Sequence, residues 1–411
     1  MRILFLTQIL PYPLDAGPKI RAYYVLRHLV QHHEVTLVSF VRPDDPQAAL
    51  NHLQQLCAAL YTVPLHRSKL QDISTLLGSL PLNRSWIITR DTNRRMHTFI
   101  DRLIQKHKFD YIHADQLSMA QYALAARKTF AKMGKISLVL DQHNAVFTIP
   151  SRMAVNSQNP LLRGFMQLES ERLRLYEIDA CRQFDKVVWV AKHDYQAVFD
   201  DSTSQLTSKT EKDTRSSTII PICVDPYSVE PKPSVPDDPH ILFIGGMHWP
   251  PNLEGVRWFI KEVFPLIQQN VPKAKFTIIG KLPTRDIINA GGVHAPGFVE
   301  DLNPFYDQAR LFVVPLLSGG GMRVKILDAW QRALPVVSTA VGAEGLIYSH
   351  GKDILIADEP EKFARMVVNL LLDKDTCAQV GSSGRKTVEQ NYDWKEIYPT
   401  WDQVYRNTNH C

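Results

Sequence analysis

The sequence predicts an α/β fold of two doubly wound, Rossmann-like domains, on three observations. Short apolar runs alternate with helical patterns almost throughout the 411 residues, which is how parallel sheets with helices on both faces read. The length suits two cores better than one. Residues 225–240 hold Pro226, Pro231, Pro233, Pro236 and Pro239 and read as a linker, after which a fresh strand–helix series begins. The first domain is expected over 1–228 and the second over 238–390. Two such sheets facing each other would put a ligand in the cleft between them, beyond the carboxyl ends of the strands.

In the first half, Ile3–Thr7 is an apolar run of strand length. Residues 17–32 follow with helical spacing, with Ile20, Tyr23, Tyr24, Leu26 and Leu29 on or near one face. Further strands are expected at Glu34–Phe40, Ala59–Val63, Tyr111–Ala114, Ser137–Asp141 and Lys186–Val190, with helices between them. Residues 201–218 are dominated by Asp, Ser, Thr and Lys and read as a loop. In the second half, strands are expected at Ile241–Gly245, Lys275–Ile279, Leu311–Pro315 and Pro335–Ser338. Helices are expected over about 252–268, 321–333, 360–372 and 394–407.

Composition narrows the class. The formal net charge of +5 is too small to argue for nucleic-acid binding. Cys57, Cys181, Cys223, Cys377 and Cys411 are scattered, with no C-x-x-C pair. That argues against a disulfide framework or structural zinc and for a reducing, cytoplasmic setting. The apolar run Ile3–Leu10 is broken by Thr7 and Gln8 and ended by Pro11, so a signal peptide is not expected. No stretch approaches the roughly 20 apolar residues of a membrane span.

The most informative segment is Pro315-Leu-Leu-Ser-Gly-Gly-Gly-Met-Arg-Val-Lys-Ile-Leu-Asp328. A buried strand runs into three glycines and then a helix. Gly319, Gly320 and Gly321 let backbone approach a ligand closely, and a helix start offers free N–H groups and a positive dipole. Arg323 can grip an oxyanion with two N–H groups, while Lys325 acts as a point charge. Together they suit a diphosphate without a metal, and Asp328 could accept hydrogen bonds from ribose hydroxyls. The alternative is a flexible glycine turn before a helix with solvated charges.

Other candidates lie at strand ends. Asp141, His143 and Asn144 follow the strand Ser137–Asp141. His113 and Asp115 end another strand, where they could line an acceptor pocket or serve as ordinary strand-end polar residues. Gly17, at a helix start, could approach a donor phosphate or sugar, and Lys19 and Arg21 could meet an anionic acceptor or stand as surface charges. Glu344 could reach the donor or cap a turn. The stretch 84–108 interleaves Arg84, Arg90, Arg94, Arg95, Arg102, Lys106 and Lys108 with Trp86, Ile87, Ile88, Phe99 and Ile100. It could touch an anionic membrane or be a solvated face over an ordinary core.

In order along nearly the whole chain, these segments resemble glycosyltransferase family 4, the group 1 glycosyltransferases, with the bacterial exopolysaccharide-associated sugar transferases most similar. The donor segment 315–328 and Leu334–Leu346 carry the resemblance. So do Arg2-Ile-Leu-Phe-Leu with Gly17–Arg21, Ile220–Asp225, Ile241–Gly246 and Gly297-Phe-Val-Glu-Asp301. The resemblance implies a GT-B fold, an acceptor-binding first domain and a C-terminal segment over 391–411 that packs back on it. It implies a retaining transfer from a nucleotide diphosphate sugar to a glycan or lipid-linked acceptor, with no cofactor and no metal. Gly245, Gly246, Phe298 and Val299 would then contact the nucleotide. His143 matches the family's histidine-bearing loop and becomes the candidate catalytic residue, hydrogen-bonding the transferring sugar. The expected partners are a nucleotide sugar, the acceptor and an anionic membrane surface, with no nucleic acid. The expected location is cytoplasmic, peripheral at the inner face of the cell membrane.

Two departures stand out. Many members of that family carry two glutamates with seven residues between them in the donor segment; here the positions are Gly320 and Asp328. Many also carry Arg and Lys after the first strand of the second domain, where this chain has Gly246-Met-His-Trp-Pro-Pro-Asn252. Arg323 and Lys325 are expected to replace that charge. A nicotinamide dehydrogenase is disfavoured, since no strand is followed by G-x-G-x-x-G. The pair Asp373 and Asp375 falls at a helix end, not after a strand. A nucleotide-sugar epimerase of the same fold and a catalytically silent sugar-nucleotide-binding protein remain as rivals.

Overall fold

The computed structural model describes residues 1–65, 68–79, 84–131, 134–199 and 217–406. Most of the loop expected over 201–218 lies outside them. The chain divides into two compact units, Met1–Cys223 with Trp394–Cys411, and Val224–Asp393. The proline-rich stretch 225–240 thus belongs to the second unit.

The first unit is a seven-stranded sheet: β1 (Arg2–Thr7), β2 (Glu34–Val41), β3 (Ala59–Pro64), β4 (Tyr111–Asp115), β5 (Ser137–Gln142), β6 (Lys186–Trp189) and β7 (Ser217–Ile219). The order is β3-β2-β1-β4-β5-β6-β7, and every pair is parallel. Side chains alternate across the sheet with period two. Leu4, Leu6, Ile112, Ala114, Leu138 and Leu140 join a core with Met96, Ile100, Leu117 and Met119. The opposite face brings Phe5, His113 and Asp141 to the helix Gly17–Leu29 and the C-terminal segment.

The second unit has six strands: β8 (His240–Ile244), β9 (Lys275–Ile279), β10 (Val293–Gly297), β11 (Leu311–Val314), β12 (Val336–Ser338) and β13 (Leu355–Ile356). The order is β10-β9-β8-β11-β12-β13, again all parallel. Chain order reverses between β8 and β11, which makes that gap the topological switch point. Ile241, Phe243, Phe276, Leu311 and Val313 pack with Phe259, Phe264, Ile267 and Phe363 on one face. The other face is covered by the helix Val324–Gln331, which leans on the helix Lys374–Asn391.

Several elements differ from expectation. The helix foreseen over 321–333 spans Val324–Gln331, because Gly319 and Gly321 take left-handed φ values of 120° and 74°. The 394–407 helix is broken into Trp394–Ile397, a 3-10 turn Tyr398–Thr400 and Trp401–Tyr405, as Pro399 requires. Among the described residues no helix is long and apolar enough to cross a membrane.

Candidate active site

In the second unit, the expected donor residues meet at the switch point. Strand β8 runs into Gly245 and Gly246, and β11 runs into the glycine triplet. Gly319 and Gly321 are buried and Gly320 is half-exposed. The helix that follows begins at Val324 with Arg323 at its N-cap and no side-chain cap. The Ile326 N–H turns back to the Arg323 carbonyl at 3.0 Å.

The two cations sit on either side of that helix start. Arg323 turns back on the loop, donating from Nη1 to the Gly320 carbonyl and from Nη2 to the Val341 carbonyl at 3.4 Å. The loop after β11 is thereby tied to the turn Val341–Ala343 that precedes Glu344. Lys325 donates to Asn252 Oδ1 at 3.1 Å and lies 4.4 Å from the Phe243 ring centroid. Asn252 in turn donates to the Gly246 carbonyl at 3.0 Å. A Cβ added at Gly245 would lie 2.9 Å from the Lys325 ammonium and 2.7 Å from Asn252 Nδ2. Glycine there lets the lysine reach the β8 loop. Lys325 is half-buried. Burial and then the neighbouring Arg323 charge lower its pKa to about 7, against the pull of Asp328. Asp328, one turn on, is pushed up to about 6 by burial, although Arg332 and Lys325 oppose the shift.

The nucleobase candidates lie at the carboxyl end of edge strand β10. Gly297 has φ 91°, Phe298 is 58% exposed, and its ring has the Lys281 ammonium 5.1 Å from its centroid. Val299 beside it is half-buried. An aromatic ring left this open is available for stacking.

In the first unit, His143 follows β5 and is buried. Its Nε2 lies 2.9 Å from Asp115 Oδ1 and 3.8 Å from Asp141 Oδ2. Asn144 beside it is half-exposed. Two expectations need correction. Arg21 is not a loop cation awaiting an anion: it is fully buried, donating to Asp141 Oδ2 at 2.9 Å and Oδ1 at 3.0 Å. It also reaches the Pro221 carbonyl at 2.6 Å and the Tyr398 hydroxyl at 3.2 Å. Asp141 is fully buried with it, so neither side chain faces solvent. Burial alone would raise its pKa, but Arg21 and then His143 outweigh burial and hold it below the usual range. Gly17, by contrast, is a half-exposed first residue of its helix, with no side-chain cap before it, and Lys19 pairs with Asp15 at 2.8 Å.

His113 and Asp115 are fully buried and line no open surface. His113 Nδ1 meets the Tyr405 hydroxyl at 2.5 Å, and burial lowers its pKa to about 3 despite the nearby Asp141 carboxylate. His113, Asp115 and Asp141 lie close enough to share a metal ion. Arg21 already covers both Asp141 oxygens, however, so that set fits an internal ion pair better than a cation site. The stretch 84–108 turns its apolar residues inward. Ile88 and Ile100 are buried in the core, with Ile87 and Phe99 packed against it, so the face left outside is chiefly charged.

The sequence did not single out Asn252, nor the carboxylates of Glu177 and Asp194 around the His143 loop, and it gave Asp115 as an acceptor-pocket or strand-end residue rather than as a partner of His143. Each works across elements far apart in the chain, and no local spacing announces it.

Residues 238–373 match the family described as Glycosyl transferases group 1. An uncharacterised 44.6 kDa protein in the cps region of Klebsiella pneumoniae is 22% identical, over 97% of this chain and 98% of its own. Among solved structures, Anabaena HepE in complex with UDP-glucose superposes with a TM-score of 0.67 at 14% identity, covering 98% of this chain and all of that one. Staphylococcus aureus TarM, in complex with fondaparinux, alpha-GlcNAc-glycerol and UDP, gives 0.66 at 10% identity, covering 99% of this chain and 100% of that one. These structures share the two-domain GT-B architecture described above.

Proposed function

With a group 1 glycosyltransferase domain over residues 238–373 and a GT-B fold as premise, we propose that this chain transfers a sugar from a UDP-sugar to a glycan or lipid-linked acceptor, with retention of configuration, in cell-surface polysaccharide synthesis. The observation that carries the reading is the convergence of the glycine triplet, Arg323 and Lys325 at the switch point of the second unit. HepE and TarM were both solved with UDP bound, which supports uracil as the base. The Klebsiella relative's place in a capsular polysaccharide region supports the pathway class. The buried thiols of Cys57, Cys181, Cys223 and Cys377, none of them in a disulfide among the described residues, suit a reducing compartment.

In this mechanism the bond between the anomeric carbon and the diphosphate oxygen breaks, and the acceptor oxygen bonds to that carbon on the same face. The acceptor proton passes to the departing phosphate oxygen. Charge builds on the diphosphate, and protein donors aimed there lower the barrier. Backbone N–H groups at Gly319–Gly321 and the helix start serve as those donors, with Arg323 and Lys325 supplying full charges. Arg323 would exchange its two carbonyl partners for phosphate oxygens. The same two cations replace the Arg and Lys absent after β8. Asp328 accepts from the ribose, Phe298 and Val299 meet the base, and His143 hydrogen-bonds the transferring sugar.

Calorimetric titration with UDP tests the donor half. The R323A/K325A double variant should bind UDP at least about tenfold more weakly than wild type, since charge-assisted bonds are each worth roughly 1.5–3 kcal/mol. Equal affinity would refute the assignment of these cations. Gly320, in place of the family's first glutamate, favours one other reading, a protein that binds the nucleotide sugar without turnover. Tight UDP binding with no UDP release from any of a panel of UDP-sugars and acceptors would select it.

A further inference from the structure

Residues 142–147 leave β5 and carry His143, and three buried carboxylates from three other elements hold them. Glu177, on the helix Pro160–Gln183, accepts from Val146 N at 3.0 Å, Phe147 N at 3.3 Å and Gln142 Nε2 at 2.7 Å. Asp194, on the helix Lys192–Phe199, accepts from Ala145 N at 2.9 Å. The third is Asp115, at the end of β4, and it holds the ring rather than the backbone.

Asp115 and Asp141 stand opposite each other in the β4–β5 register. Both point to the same face, yet they hold different side chains. Asp141 is bound through both oxygens by Arg21 and stands 3.8 Å from His143 Nε2. Asp115 Oδ1 is 2.9 Å from that nitrogen, while Asp115 Oδ2 accepts from the Gln116 amide at 3.4 Å. Among the described residues, the other ring nitrogen, Nδ1, is shielded from solvent and has no hydrogen-bond partner. Leaving an N–H buried without an acceptor costs the full desolvation of that group. A proton on Nε2 is paired with the carboxylate, and Nδ1 then keeps a buried lone pair that a donor can fill.

We infer that Asp115 is a positioning residue for His143: its carboxylate fixes the ring orientation and the Nε2–H tautomer, leaving Nδ1 as the acceptor for a hydroxyl of the sugar substrate. Contacts of this type often close only when the substrate enters, and a fixed ring makes the accepting atom ready beforehand. The substrate-facing half rests on the role given to His143 above; the Asp115 hold does not.

The full chain with 15N-labelled histidine tests the hold by NMR, with the His143 signals assigned by their loss in H143Q. Wild type should show the Nε2–H tautomer. D115N and D115A should shift it toward a mixture, with the thermal midpoint of D115N showing that the variant is folded. A wild-type Nδ1–H tautomer, or one unmoved in both variants, overturns the inference whatever the activity. UDP release from UDP-glucose, UDP-galactose and UDP-N-acetylglucosamine supplies the second readout. D115N should lower kcat by about tenfold with little change in KM, and D115N/H143Q should be no slower than H143Q alone. Additive losses would show that Asp115 acts independently of the ring and overturn the inference. Wild-type turnover in H143Q would overturn the substrate-facing half together with the catalytic role of His143, while the NMR result would still decide the hold.

Discussion

At Lys325 three features act on one ammonium. Phe243 and the β8 loop remove its water, Arg323 repels it, and Asn252 returns one hydrogen bond. The resulting pKa of about 7 has a consequence for binding. Below pH 7 the charge is present before the diphosphate arrives. Above it, binding must take up a proton, so UDP affinity should fall by up to about tenfold per pH unit between pH 7 and 9. Titrations across that range should show the slope in wild type and lose it in K325A; identical slopes would mean that Lys325 does not pair with the ligand. The positive string Arg323 and Lys325 was legible because it lies beside three glycines in one short segment. Asn252 was not, since it belongs to the helix Pro250–Trp258 and meets Lys325 only once β8 and β11 are neighbours. Arg21 misled for a related reason. Its partners Asp141, Pro221 and Tyr398 lie far away in sequence, so a buried ion pair looked like a surface charge.

Among the elements, strands buried on both faces read as plain apolar runs, which is why β1, β2, β5, β8, β9 and β11 were legible within a residue or so. The missed strands, β7, β10 and β13, all lie at sheet edges. Ser217–Ile219 and Leu355–Ile356 are very short, and Val-His-Ala-Pro-Gly over β10 carries the proline and glycine that an edge tolerates. The helix Lys374–Asn391 was hidden by its polar composition and by Gly381 and Gly384. Both glycines are packing requirements. A Cβ at Gly381 would sit 2.0 Å from the Ala333 carbonyl, and one at Gly384 2.3 Å from Trp330 Cδ1. Because Trp330 closes the helix that carries Arg323 and Lys325, its seat matters to the donor site. G381A and G384A should each lower stability by about 1–3 kcal/mol in chemical denaturation, with weaker UDP binding where the helix is displaced. Unchanged midpoints would show that the contact yields. The residues Asp373 and Asp375 also find a local role. Asp373 accepts from the N–H groups of Asp375 and Thr376, capping that helix.

For the whole chain, the return of residues 394–405 to the first unit is a packing event with a charged centre. Tyr398 bonds Arg21 and the Cys223 N–H, Tyr405 bonds His113, and the Trp394 ring lies tilted 5.6 Å from that of Tyr24. Sequence patterning alone showed a helix of uncertain purpose here, because the partners lie 175 to 377 residues away. Removing Arg21 would leave Asp141 buried and unpaired. R21A should therefore lose about 3–5 kcal/mol of stability. The Asp141 pKa is held low, so its contribution is present above about pH 4 and fades as pH falls further. A urea midpoint equal to wild type at pH 7 would contradict this role for the pair. The largest claim, that the glycine triplet and the helix start hold a donor diphosphate, is tested most directly by amide hydrogen exchange of the full chain with and without UDP. The backbone amides of 319–326 should gain protection when UDP binds, and gain less in R323A/K325A. UDP binding that protects other segments and leaves 319–326 exchanging at the free rate would contradict the account.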